Sequence, residues 1–127
     1  VWQRSGRPVL WVDADAVFHG LPELLRGTEA DFAVHRCRGW QFASGTIFFN
    51  QTPQAGVLLQ RWLARCRQFP RVWDQDHLDM AWEETVATHP LQTLWLPESY
   101  CRIFDLHEGR SPGAAVIEHF QASRRLK

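Results

Sequence analysis

Asp13 and Asp15 end an apolar run, Val9-Leu10-Trp11-Val12, and stand two residues apart. On an extended strand residues i and i+2 point the same way, so both carboxylates would leave the strand end together and could share one divalent cation. Mg²⁺ and Mn²⁺ are hard ions that favour carboxylate oxygen and keep open positions for substrate phosphates. The strand therefore reads as the floor of a phosphate and metal site. The competing reading lets one aspartate cap the turn and leaves the other in solvent. A second acidic group, Asp74-Gln75-Asp76, begins a helix, where the dipole and the orphan amides account for at least one carboxylate as a cap. His119 closes the last apolar run, and alone it reads as a core-edge histidine. Gly45 precedes the β-branched and aromatic run Thr46-Ile47-Phe48-Phe49; either a ligand or another backbone lies against it, or it marks a bulge.

The elements that must position these groups follow from the pattern. Gly6-Arg7-Pro8 breaks the basic, polar lead-in before the first strand at Val9–Val12, whose four apolar residues suggest burial on both faces. Gly20 to Leu25 reads as a short helix ended near Gly27. Asp31–His35 is a second strand, with a lone histidine of no assigned role, and Arg36–Gly39 a loop. Phe42–Asn50 is a strand entered through Gly45. Thr52 as N-cap and Pro53 as first helical residue open the clearest helix, with Ala55, Leu58, Leu59, Trp62, Leu63 and Cys66 on one stripe and Arg61, Arg65 and Arg67 on a solvated face. Asp74 is expected to cap the next helix, whose inward side is Leu78, Ala81, Trp82 and Val86. Thr93–Leu96, a short run from Tyr100 to Phe104, and Val116–Phe120 are strands, and His107–Gly113 is a loop.

Composition bounds the answer. A chain of 127 residues, 45% hydrophobic and with seven tryptophans, suffices for one domain over 1–127 with a real core. Fourteen acidic residues balance fourteen basic ones, so no global field points to nucleic acid or an anionic membrane. Cys37, Cys66 and Cys101 are widely spaced and odd in number, which fits neither a disulfide framework nor a zinc knuckle and suits a reducing cytoplasm. No apolar run approaches the roughly 20 residues of a membrane span.

In this order, Val12-Asp13-Ala14-Asp15, Ser44-Gly45-Thr46-Ile47-Phe48-Phe49-Asn50, Asp74-Gln75-Asp76, Leu96-Pro97 and Ile117-Glu118-His119-Phe120 span almost the whole chain. They resemble the sugar-transferring half of GT-A glycosyltransferases, in particular nucleotide-diphospho-sugar transferases and the glycogenin-like retaining enzymes. The resemblance implies an α/β fold, a GT-A-like mixed sheet flanked by helices. It implies Mn²⁺ or Mg²⁺ held by Asp13, Asp15 and His119 against the diphosphate of a nucleoside-diphosphate sugar, with transfer to an acceptor whose identity is not readable. Asp74 and Gln75 would be the catalytic pair that holds or flanks the transferred sugar, and Gly45 and Thr46 would lie against substrate. Arg124 or Arg125 would replace a lysine that the family carries in a glycine-containing tail; here that tail is Gln121-Ala122-Ser123-Arg124-Arg125, without the glycine.

The family places the nucleotide-base-binding half, roughly a hundred residues and a domain-sized unit, before the Asp-x-Asp motif, where this chain has only Val1 to Val12. Either upstream sequence lies outside the chain or this is a shortened relative. A complete product of this length would leave an exposed edge strand and be expected to dimerise, which defines the alternative function: a truncated, non-catalytic module for ligand binding or interaction. The same Asp13-Ala14-Asp15 also resembles the first motif of haloacid dehalogenase-like phosphatases, with Asp13 as nucleophile and Asp15 as acid/base. Against it, Lys127 is the only lysine and Asp74 and Asp76 begin a helix rather than end a strand.

Overall fold

The computed structural model describes residues 2–37, 41–103 and 115–119. Within them the strands are β1 (Val9–Val12), β2 (Ala16–Phe18), β3 (Phe32–Cys37), β4 (Gln41–Phe49), β5 (Thr93–Trp95), β6 (Arg102–Ile103) and β7 (Ile117–His119). Four of them build a sheet in the order β1-β4-β3-β5, and β2-β7-β6 build a smaller one. In the larger sheet β4 runs antiparallel to both neighbours while β5 lies parallel to β3, so the sheet is mixed. Helices α2 (Pro53–Gln68) and α3 (Asp74–Thr88) follow a single turn of helix, α1 (Trp2–Ser5).

Each face of the larger sheet buries its own cluster. On the helix side Phe32, Val34, Phe42, Ile47 and Phe49 pack with Leu58, Leu78 and Ala81, closed by Trp62 and Trp82. On the other side Ala33 and Phe48 meet Leu96, Tyr100 and Ile117. Each fully buried aliphatic or aromatic side chain is worth about 1.5–3 kcal/mol, so the sheet is anchored from both faces. Helix α2 starts as the sequence predicts: Ala55 N–H donates to Thr52 Oγ1 at 3.1 Å, with Pro53 in the first turn.

Several expectations change. β1 is not buried on both faces: it is an edge strand paired only with β4 among the described residues, and its Trp11 is exposed. The helix expected from Gly20 is one 3₁₀ turn, Glu23–Leu25. β3 runs on through the expected loop to Cys37, which pairs with Gln41. Asp74 is the first residue of α3 rather than its cap; Trp73 holds the cap position and supplies no side-chain bond. On α3, His77 and Thr85 join Leu78 and Ala81 in burial, whereas Val86 is exposed, as is Leu63 on α2. The arginine face of α2 is not simply solvated, since Arg65 pairs with Glu84 at 3.1 Å and Arg61 donates to Thr88 at 3.0 Å.

The largest irregularity lies in β4. Val34 pairs with Ile47 and the next residue, His35, with Ala43, so Ser44-Gly45-Thr46 have no partners on β3. The insertion shifts the strand's parity, which lets Phe42 and Ile47 face the same core although they are an odd number apart. On its other edge the bowed segment stays bonded to the β1 side, through the pairing of Thr46 with Val12 and the bond from Asp13 N–H to Gly45 C=O at 3.0 Å.

Candidate metal centre

Asp13, Asp15 and His119 converge, each offering a ligand atom within 4.8 Å of the others. The two aspartates do not meet by strand pleat. β1 ends at Val12, and Asp13-Ala14-Asp15 form a tight turn closed by Ala16 N–H donating to Asp13 C=O at 3.0 Å. β2 leaves that turn antiparallel to β7 with Ala16 opposite His119, which brings the imidazole to the residue just after Asp15.

Gly45 is what lets the group close. A Cβ there would sit 3.0 Å from His119 Cε1, 3.1 Å from Asp13 Oδ2 and 3.2 Å from His119 Nδ1. The glycine is thus required by close approach and not by a positive φ, which belongs to Gly6 and Gly27. His119 Nε2 lies 2.8 Å from Thr46 Oγ1 in a fully buried contact. When Nε2–H donates to the hydroxyl, Nδ1 keeps its lone pair on the edge that faces Gly45 and Asp13. Burial pushes the His119 imidazole below the usual histidine range, against the opposing pull of Asp13 and Asp15. The ring is therefore neutral at physiological pH and able to donate its lone pair.

Two carboxylates and a neutral imidazole, with one ring nitrogen already fixed by a hydroxyl, form a donor set that suits a divalent cation at an open site. The residues present fit such an ion. Around them lies a cavity of about 100 Å³ bordered by Asp13, His119, Gly45, Ser44, Gln75 and Cys101. It adjoins a wider cleft of about 390 Å³ that shares Ser44 and Gln75 and extends along Asp74, Trp73, Val72 and Arg71.

The sequence-derived candidates therefore separate. Asp13, Asp15 and His119 form one cluster, Gly45 lies against it, Gln75 borders it, and Asp74 lines the adjoining cleft. Thr46 is fully buried behind His119, away from any position where it could touch a substrate. Arg124 and Arg125 lie outside the described residues. Sequence reasoning missed Cys101, whose buried thiol touches Thr46 and borders the cavity, and Trp73, which lines the cleft; no local pattern distinguishes either.

Comparison with known proteins gives this fold its relatives. The family model described as nucleotide-diphospho-sugar transferase matches residues 1–119. Among solved structures, the glycosyltransferase GlyE of Streptococcus pneumoniae TIGR4 superposes with a TM-score of 0.65 at 20% identity, covering 90% of this chain and 34% of that one. The apo form of mouse xyloside xylosyltransferase 1 superposes at 0.56 with 17% identity, covering 92% of this chain and 59% of that one. The chain thus spans about a third of the GlyE structure. No curated protein matches it. Among the described residues no helix is long and apolar enough to cross a membrane.

Proposed function

The chain belongs to the nucleotide-diphospho-sugar transferase family, and from that premise we propose that it carries the cation and diphosphate part of a glycosyl-transfer site. The observation that carries the reading is the convergence of Asp13 and Asp15 with His119, which comes from the far end of the chain, in one group of ligand atoms. Asp13, Asp15 and His119 hold the divalent cation. When bound, the ion supplies positive charge for the diphosphate that leaves as the sugar–phosphate bond breaks.

The remaining residues act around that charge. Thr46 fixes the imidazole and its tautomer from behind and so acts as a positioning residue. Gly45 lets β4 approach the ligands. Ser44 and Gln75 border both the cation cavity and the adjoining cleft, so the transferred sugar lies between them, where a hydroxyl and an amide can bond to its oxygens. Asp74, at the start of α3, faces the cleft beyond and can accept a hydrogen bond from a sugar hydroxyl. Arg124 and Arg125 remain candidates for the extra cation beside the diphosphate.

The test is calorimetric titration of Mn²⁺ into the protein, alone and with UDP, GDP, ADP or CDP, against the Asp13→Ala/Asp15→Ala double variant. Mn²⁺ binding that strengthens with a nucleoside diphosphate and is lost in the variant is the expected result. A folded protein that binds neither metal nor nucleotide would overturn the reading and favour an interaction module in its place.

A further inference from the structure

We propose that Arg36 anchors a second binding site, separate from the cation centre, which takes a single carboxylate in the plane of its guanidinium. The inference goes beyond the glycosyl-transfer reading and does not rest on it. Neither the cation cavity nor the adjoining cleft is lined by Arg36 or by the rings that hold it.

Three elements build the site. Phe42 of β4, Trp82 of α3 and Trp95 of β5 meet in pairs at 68°, 73° and 63°, with ring centroids 5.5 to 5.8 Å apart, so they wall a box. The β3–β4 register brings Arg36 opposite Phe42, and its guanidinium lies 4.1 Å from the Trp95 centroid, 5.1 Å from that of Trp82 and 5.2 Å from that of Phe42. Each contact is within the roughly 6 Å over which a ring face attracts a cation. The walls are fixed, since Phe42 is buried in the core and the Trp82 indole N–H donates to Thr93 Oγ1 at 2.9 Å. Trp95 is exposed on β5, which ends the described sheet, and Arg36 is only half-buried, so the box is open to a ligand at this edge.

What the box lacks is an acceptor. A guanidinium offers N–H donors only, and the rings answer its charge but none of those donors. Arg36 makes no hydrogen bond or ion pair among the described residues, and its Nε–H is shut off from water without a partner. Arg65 Nε and His77 Nδ1 are also buried and unpaired, yet Arg65 pairs with Glu84 and His77 bonds to Phe69 C=O through its other nitrogen. Arg36 alone of these three has no polar partner among the described residues. An unpaired donor on a buried charged group is costly, and folded proteins keep few of them. With rings against its faces the group is approached in its plane, which is the geometry of the two parallel bonds between guanidinium and carboxylate. Neighbouring charge then limits the ligand. Burial and Glu83 push the Asp79 carboxyl up while Arg36 pulls it down, so these acids of α3 lie near enough to repel added negative charge, although neither pairs with Arg36. One negative charge is favoured over the two of a phosphate.

The experiment follows the indole N–H signals of Trp82 and Trp95 by NMR. Acetate, glucuronate, an aspartyl peptide blocked at both ends, inorganic phosphate and sodium chloride are each titrated into the wild-type chain, Arg36→Lys and Arg36→Gln, and Mn²⁺ into separate samples of each. At least one carboxylate should move both signals saturably in the wild type, bind about tenfold more weakly to Arg36→Lys, and leave Arg36→Gln unmoved. Tighter binding of glucuronate or of the peptide tells whether a sugar acid or a peptide side chain carries the group. Mn²⁺ binding should be the same in all three proteins. The proposal is overturned by carboxylates that leave the signals unmoved, by an equal response to chloride, by phosphate binding more tightly than every carboxylate, or by an undiminished response in Arg36→Gln. Should Arg36→Gln fail to fold, undiminished carboxylate binding in Arg36→Lys overturns it equally. Failure of Mn²⁺ to bind the wild type would overturn the cation reading instead, and Arg36-dependent carboxylate binding would then still uphold this site.

Discussion

Gly45→Ala adds a single methyl group at the point where the ligand cluster is braced against β4. The new Cβ would meet His119 Cε1 at 3.0 Å, Asp13 Oδ2 at 3.1 Å and His119 Nδ1 at 3.2 Å, whereas unstrained contacts lie at about 3.5–4.0 Å. Something must retreat by about half an ångström. Asp13 is exposed and its carboxylate can swing aside, but His119 is buried and tied to Thr46, so the strain falls on the imidazole or on the bowed strand. Ligand bonds to a metal tolerate displacements of only about 0.2 Å, and a misplaced ligand weakens binding by roughly ten- to a hundredfold. That is about 1.4–2.7 kcal/mol of cation affinity. Stability moves less. Overpacking costs about 1–3 kcal/mol, while the loss of backbone freedom in the unfolded chain returns about 0.4–1 kcal/mol, and the absence of a positive φ at Gly45 means alanine's backbone is unstrained. Calorimetric Mn²⁺ titration together with thermal unfolding of the metal-free protein measures both. Affinity reduced at least tenfold with a melting point lowered by only a few degrees is the expected result. Wild-type Mn²⁺ affinity in Gly45→Ala would refute the reasoning, because the cluster would then not depend on the close approach of this strand.

Thr46→Val keeps the volume but leaves a buried imidazole N–H unpaired, so it should cost about 1–3 kcal/mol of stability by denaturant unfolding and weaken Mn²⁺ binding about tenfold or more; Thr46→Ser should restore both. The pH dependence follows from His119, whose folded pKa lies below the ordinary value of 6.5. As pH falls the unfolded chain takes up the proton first, so this contribution to metal-free stability is full above about 6.5 and is lost as pH drops from there toward the lowered folded value. His119→Gln should flatten that part of the curve when unfolding is compared between neutral pH and about pH 5. The Cys101 thiol, pushed up to about 12 by burial, should resist iodoacetamide in the native state and react only on unfolding, which peptide mass spectrometry reads directly; alkylation of Cys101 ahead of global unfolding would mean that the cavity wall opens.

The fold was legible wherever a local pattern was long enough to carry it. Helix α2 announces itself through Thr52, Pro53 and a regular apolar stripe, and the described part of the sheet follows the apolar runs. One misreading arises because a run of apolar residues says nothing about what lies on its far edge. Val9–Val12 looks like a central strand by composition, yet β1 pairs on one side only among the described residues and leaves Trp11 exposed. β2 was invisible because it is three residues long and exposes Val17 and Phe18, so no alternation marks it. The insertion in β4 was half legible, since Gly45 allowed a bulge, but the change of parity between Phe42 and Ile47 shows only in the tertiary packing.

The ligand cluster was legible by residue type, and its assembly was not. The i, i+2 spacing of Asp13 and Asp15 pointed to a shared cation through strand pleat, whereas a tight turn brings the carboxylates together. What delivers His119 to that turn is the register of β2 on β7, and register is set by which neighbours fit. Ile117 is fully buried in the core between the two sheets, and Glu118, on the opposite face, meets His19 at 3.0 Å. A slip of one residue would turn Ile117 and His119 outward and carry Glu118 toward Thr46. The core contact of Ile117 and the outer contact of Glu118 therefore fix the third ligand as surely as the hydrogen bond to its own ring.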